Sequence, residues 1–298
     1  MNALAQKSSR YLFVISFCGL ALFVPFSISG ANISIMLGFL ASLIGIFFIP
    51  ETRARIFNIR KDPMTIACIV LVVSAIPSVL MSEDVPRARN DWESYWLLLI
   101  YFLVAYNLTS PRLRRVVFWI LFTSASLSCM VAIAQYRGGV DFLFIHISEN
   151  VHRPSGTLFT MTFAGILAQL ITVNFAVLFG RRPPPARDFP ALALAIGVAI
   201  QIIGLVLTLT RGAWLALLGG LAAVVALLNR KRIYIAAGII VVLSAVLALR
   251  DVRVQKKIAS ITGAGGVATE VNISTRYVLW DISWDLIKDH PILGVGMG

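Results

Sequence analysis

The chain alternates long apolar runs with short charged segments. Runs of spanning length lie near 11–30, 32–50, 64–81, 94–108, 116–136, 159–179, 189–209, 212–228 and 233–249. About 20 apolar residues carry a helix across the hydrocarbon of a bilayer. A helix also satisfies its own backbone there, which an open sheet edge does not. The pattern therefore predicts an all-α, polytopic transmembrane helical bundle of about nine helices over 1–249. A more polar segment, 250–298, follows it outside the membrane. Pro25 and Pro77 fall inside runs, where they predict kinks. Pro183-Pro-Pro185 stiffens one connecting loop.

Composition agrees with this pattern. Of the 298 residues, 58% are hydrophobic and 13% charged, against about a quarter charged in a soluble domain. The mean hydropathy is +0.86. A net charge of +12 would suit a nucleic-acid partner, but the basic residues sit in short clusters between apolar runs. That is the arrangement of membrane topology, with anionic headgroups as neighbours. With the N-terminus in the cytoplasm, fifteen basic residues fall in inside segments and five in short outside ones. Arg153 and Arg211 are then both outside. Cys18, Cys68 and Cys129 lie within apolar runs and read as small apolar side chains. The first run lacks a small-residue cleavage pattern and reads as a retained helix.

One stretch departs from the alternation. Thr208-Leu-Thr-Arg-Gly-Ala-Trp-Leu-Ala216 puts Arg211 between two apolar runs with almost no polar spacer. A guanidinium left in hydrocarbon costs several kcal/mol, so it must reach water, a phosphate or a carboxylate. An isolated arginine at a helix end ordinarily snorkels to the headgroups, and Trp214 suits that depth. The loop 137–158 holds Arg153 before Pro154-Ser-Gly-Thr157, and its plain reading is a solvated arginine. His146 and His152 share that loop without a Cys or carboxylate cluster, so no metal site is read there.

Beyond 249, residues 250–262 mix basic and β-branched side chains, as in a helix lying on headgroups or a solvated one. Gly263-Ala-Gly-Gly266 reads as a joint, and Asn272, Ser274 or Thr275 as the cap of a helix over 276–289. Arg276, Trp280, Trp284 and Lys288 recur every fourth residue on its face, for packing against the membrane domain or for sugar or headgroup contact. His290-Pro291 ends it. Gly294, Gly296 and Gly298 follow no strand, so they are not a dinucleotide fingerprint.

Thr208 to Ala216 resembles the Thr-x-Ser-Arg-Gly-Ala-Trp-Leu signature of the O-antigen ligase and polymerase family. Arg276-Tyr-Val-Leu-Trp280 and His290-Pro-Ile-Leu-Gly-Val-Gly-Met-Gly298 resemble a second signature, Arg-x-x-x-Trp…His-Pro-Leu-x-Gly-x-Gly. Arg153-Pro-Ser-Gly-Thr157 resembles the Arg-x-x-Gly-Thr segment of the same family. Two signatures in order, about 65 residues apart, are more specific than either alone. The resemblance implies a bacterial inner-membrane enzyme that moves a glycan from an undecaprenyl-diphosphate carrier to an acceptor on the periplasmic side. It implies Arg153 and Arg211 as catalytic residues and Arg276, Trp280 and His290 as substrate-binding ones. It also implies a chain that continues beyond Gly298, with the catalytic base further on, so that the sequence reads as an N-terminal fragment.

The chemistry fits that picture. A donor used outside the cell must carry its own leaving group, and a polyprenyl diphosphate does so. Negative charge grows on the diphosphate as the acceptor hydroxyl attacks, and guanidinium groups bind it in two-pronged fashion at constant charge. No acidic pair with metal geometry accompanies them, so a metal-independent reaction without cofactor is expected. The acceptor is expected to be lipid A–core, which makes the enzyme an O-antigen ligase. Polymerase and protein O-glycosylating relatives share the signatures. A transporter or flippase for a lipid-linked glycan is the reading from another class, but the spans lack Asp, Glu, Lys and Arg at their centres.

Overall fold

The computed structural model describes residues 2–49, 62–80, 82, 84–138, 154–179, 191–228, 238 and 267–290. It is all-helical over these residues. The helices are α1 (Asn2–Phe23), α2 (Ile28–Phe48), α3 (Pro63–Leu80), α4 (Val85–Glu93), a 3₁₀ turn (Ser94–Leu98), α5 (Leu99–Asn107) and α6 (Pro111–Gly138). They continue with α7 (Thr160–Phe179), α8 (Ala191–Leu207), α9 (Arg211–Leu228) and α10 (Val267–Asp289). Among the described residues, four stretches are long and apolar enough to cross a membrane: Ile28–Phe48, Pro63–Leu80, Pro111–Tyr136 and Thr160–Phe179. Ala191–Leu207 and Gly212–Leu227 are shorter apolar helices.

Several boundaries differ from the sequence pattern. The first run does not continue to residue 30. Pro25 has no N–H to continue the helix, and α1 ends at Phe23 instead of kinking. Ser27 then opens α2, its hydroxyl accepting from the Gly30 N–H at 3.2 Å. Pro77 does lie within α3. The run at 94–108 resolves into the 3₁₀ turn and the nine-residue α5, too short to cross the hydrocarbon as one straight helix. The helix read over 276–289 starts at Val267, so Asn272, Ser274 and Thr275 lie inside α10 and do not cap it. Its end stands as read, with the His290 N–H on the Leu286 carbonyl at 3.0 Å. The run 233–249, apart from Gly238, and the helix read over 250–262 lie outside the described residues.

The chain divides into two compact bodies. The first comprises 1–9, 41–108 and 256–298. In it the Asp62 carboxylate opens α3, accepting from Thr65 at 3.2 Å, from Tyr106 at 3.4 Å and from the Tyr101 hydroxyl. One carboxylate thereby caps one helix and ties it to α5. These hydrogen bonds favour the charged form, Tyr101's most of all, and hold the carboxyl below its ordinary range.

The second body comprises 10–40 and 109–255 and holds a buried hydrophobic cluster. Here α8 packs on α6, and α7 packs on both α8 and α9. Lipid tails are as apolar as leucine, so membrane helices associate through close fit and buried polar contacts. Both are present. Gly204 faces Cys129, and an added Cβ there would come within 2.8 Å of the thiol sulfur. Gly220 faces Thr172 with a corresponding 2.6 Å. Between the helices, the Asn174 amide donates to Gln201 Oε1 at 2.9 Å and the Gln201 amide donates to Ser126 Oγ at 3.2 Å. Asn174 and Gln201 are both buried.

Candidate active site

The break between α8 and α9 occupies three residues, Thr208 to Thr210. The Thr208 N–H bonds to the Leu205 carbonyl and the Leu209 N–H to the Val206 carbonyl, both at 3.2 Å, which tightens the last turn of α8. The buried Thr208 hydroxyl donates to the same Leu205 carbonyl at 2.7 Å. Leu209 then takes φ +54°, in the left-handed region that side-chain-bearing residues avoid. Thr210 opens α9: its carbonyl accepts from the Ala213 N–H at 3.1 Å and from the Trp214 N–H at 3.3 Å. The Trp214 indole N–H reaches back to the Leu205 carbonyl at 3.4 Å.

This lacing makes Arg211 the first residue of α9. The sequence pattern placed it between two apolar runs, and the structure places it at the positive end of a helix dipole. Gly212 beside it is exposed, with open space where a Cβ would stand. The backbone there is uncrowded.

A second turn, 154–159, leads into α7. Gly156 takes φ +62°. Gln135, near the end of α6, grips the turn from both ends of its amide. Its NH₂ donates to the Gly156 carbonyl at 2.7 Å, and its Oε1 accepts from the Ser155 N–H at 3.4 Å. Thr157 donates to the Phe26 carbonyl at 2.7 Å and Ser128 to the Pro25 carbonyl at 2.9 Å, which joins this turn and α6 to the α1–α2 connection. Leu158 belongs to the same buried cluster as Leu205, Ala213 and Leu217. The segment that follows Arg153 and the segment that carries Arg211 thus rest on one core.

Next to this turn lies an open apolar groove of about 780 Å³, lined by Leu22, Phe23, Phe26, Ile28, Leu158 and Phe159 among others. Arg153 itself, His146, His152, residues 291–298 and the side chains of Arg211 and Arg276 are outside the described residues. Trp280 and His290 are on or just past α10, and every side chain from 277 to 290 is exposed. Trp280 is 66% and Trp284 60% accessible.

The sequence reading did not find Gln135 or the left-handed Leu209, and it noted Gly156 only within the Arg153-Pro-Ser-Gly-Thr157 motif. Gln135 left a trace as a long amide near the end of an otherwise apolar run. Leu209 left none, since leucine gives no sign of a left-handed backbone.

With this geometry in place, the comparison with known families is specific. Residues 196–298 match the model of the family described as O-antigen ligase. The matched segment runs from within α8, through the Thr208–Thr210 break and Arg211, to the end of α10 and beyond. No curated protein and no solved structure matches the chain. Residues 196–298 are therefore similar to the O-antigen ligase family, in a chain whose described residues include four helical stretches long and apolar enough to cross a membrane.

Proposed function

We propose that this protein is a bacterial inner-membrane glycosyltransferase with its N-terminus in the cytoplasm. It moves a glycan from a polyprenyl-diphosphate carrier to lipid A–core on the outer side of that membrane. The observation that carries the reading is the place of Arg211. It starts an apolar helix at a sharp break, within the segment that matches the family. A guanidinium there adds to the partial positive charge of the first N–H groups of α9, and both favour a diphosphate that gains charge as the glycosidic bond breaks. Arg153, in the loop that runs into the Gln135-held turn, is the second arginine of the site. Arg276, Trp280 and His290 contact the glycan or the acceptor, and no metal takes part.

The test is direct. Membranes holding the protein are incubated with lipid-linked glycan and, in turn, with lipid A–core, with unextended lipid-linked glycan and with a protein acceptor. The expected result is a mass gain on lipid A–core that persists with a chelator present. Gain on the lipid-linked glycan instead makes the protein a polymerase. Movement of intact donor across the bilayer, with no acceptor modified, makes it a transporter.

A further inference from the structure

We infer that Leu209 is a positioning residue: its left-handed backbone ends α8 one residue before Thr210, and so sets where Arg211 begins α9. The inference rests on the role proposed for Arg211. Leu209 is the only non-glycine residue with positive φ among the described residues. Such a conformation costs an ordinary side chain about 1–2 kcal/mol and persists where its surroundings over-determine it.

Those surroundings are present on both sides. Upstream, the Leu205 carbonyl accepts from the Thr208 N–H, the Thr208 hydroxyl and the Trp214 indole. Downstream, the Thr210 N–H meets Thr208 Oγ1 at 3.4 Å and the Thr210 hydroxyl donates to the Thr208 carbonyl at 3.3 Å. The Leu209 side chain is 8% accessible. Its burial offsets the strain and keeps the residue where a glycine would be the easy choice.

Without the left-handed residue, the two apolar helices have a competing arrangement. Residue 209 in the ordinary helical region would let α8 run into α9 as one helix. Arg211 would then lose its place at a helix start, at the positive end of the α9 dipole. The left-handed step thus keeps the arginine and the positive end of α9 together.

The experiment compares Leu209→Ala with Leu209→Gly. Both remove the same buried side chain, so packing loss is matched, but only glycine adopts positive φ without strain. Glycan transfer is measured per folded protein, taking the monodisperse fraction in detergent as the folded amount, with kcat and donor KM separated. Leu209→Gly is expected to exceed Leu209→Ala at least about fivefold in kcat, the ratio that corresponds to the lower end of the left-handed penalty. Leu209→Val, branched at Cβ, is expected to fall below Leu209→Ala. In an Arg211→Ala background the glycine and alanine variants are expected to be equal, because the effect acts through Arg211. Equal kcat for Leu209→Gly and Leu209→Ala with Arg211 intact overturns the inference. Full turnover by Arg211→Ala instead overturns the functional reading on which it rests.

Discussion

Two turns in the second body solve the same problem with different residues. Each leads into an apolar helix beside an arginine, Arg153 before the first turn and Arg211 after the second, and each needs one left-handed residue. At Gly156 the residue is glycine, and the position also has no room. An added Cβ would stand 2.8 Å from Ser128 Oγ and 3.3 Å from the Ser128 carbonyl. At Leu209 the residue is leucine, buried and strained. The first turn is held from outside, by Gln135, and by its own link from Thr157 to the α1–α2 connection. The second is held from inside, by Thr208, Thr210 and Trp214 within seven residues of one another. A turn fastened by distant partners tolerates no new atoms. A turn fastened by its own neighbours tolerates a side chain and stores the strain.

The largest expected effect comes from the second turn. Arg211→Lys keeps a positive charge but loses the planar fork that meets two phosphate oxygens. Loss of one strong charge-stabilising contact costs about 3 kcal/mol of barrier, so turnover is expected to fall about a hundredfold. Arg211→Ala is expected to be no better than Arg211→Lys. Wild-type turnover in the lysine variant would make Arg211 a snorkelling residue and leave the turn a purely structural break.

Next comes the first turn. Gly156→Ala adds both strain and overlap, and a loss of about 2 kcal/mol of stability is expected. The thermal midpoint in detergent measures it. An unchanged midpoint would mean that the turn relaxes freely, and the contrast between the two turns would disappear.

Gln135→Leu is expected to do less. It keeps the side chain's size but leaves the Gly156 carbonyl without its donor and the Ser155 N–H without its acceptor. A buried group stripped of its partner costs about 1–3 kcal/mol, and the exposed Phe159 beside the turn gives water a way to repair part of it. The sharper form of the comparison is a double variant. Gln135→Leu and Gly156→Ala share a turn and should couple, whereas Gln135→Leu and Leu209→Ala should add. Additivity in both pairs would dissolve the distinction between a turn held from outside and one held from inside.

Much of this arrangement is legible in the sequence, for a physical reason. Apolar runs of about 20 residues report helices because a single helix satisfies its own backbone in lipid. Arg211 stands out because charge is costly there, and His290-Pro291 ends α10 as proline requires. The misreadings share a cause too. The apolar runs part at Ala31, but Gly30 and Ala31 both lie inside α2, and a Cβ at Gly30 would meet the Phe23 ring. Pro25 made the break although apolar residues flank it. The grip of Gln135 on a turn about twenty residues away, and the left-handed Leu209, depend on contacts that local spacing does not encode.

The smallest effect is expected at a helix start that needs no left-handed residue. At α3 the Asp62 side chain caps the helix directly and takes hydroxyls from Thr65, Tyr101 and Tyr106. Its carboxyl is held below the ordinary range, first by the Tyr101 hydrogen bond. The sign follows from linkage. A carboxyl whose pKa is lower in the folded state contributes stability at pH above its unfolded pKa, near 3.9, and loses it as pH falls through the folded value. Asp62→Asn removes the charge and keeps the shape. Its thermal midpoint should lie modestly below wild type at neutral pH and converge on it as the pH is lowered through the carboxylate range. A gap that stays constant with pH would mean that the contacts of Asp62 act by shape alone. The start of α3 would then resemble the turn at Leu209, held by local geometry, more than a helix start held by charge.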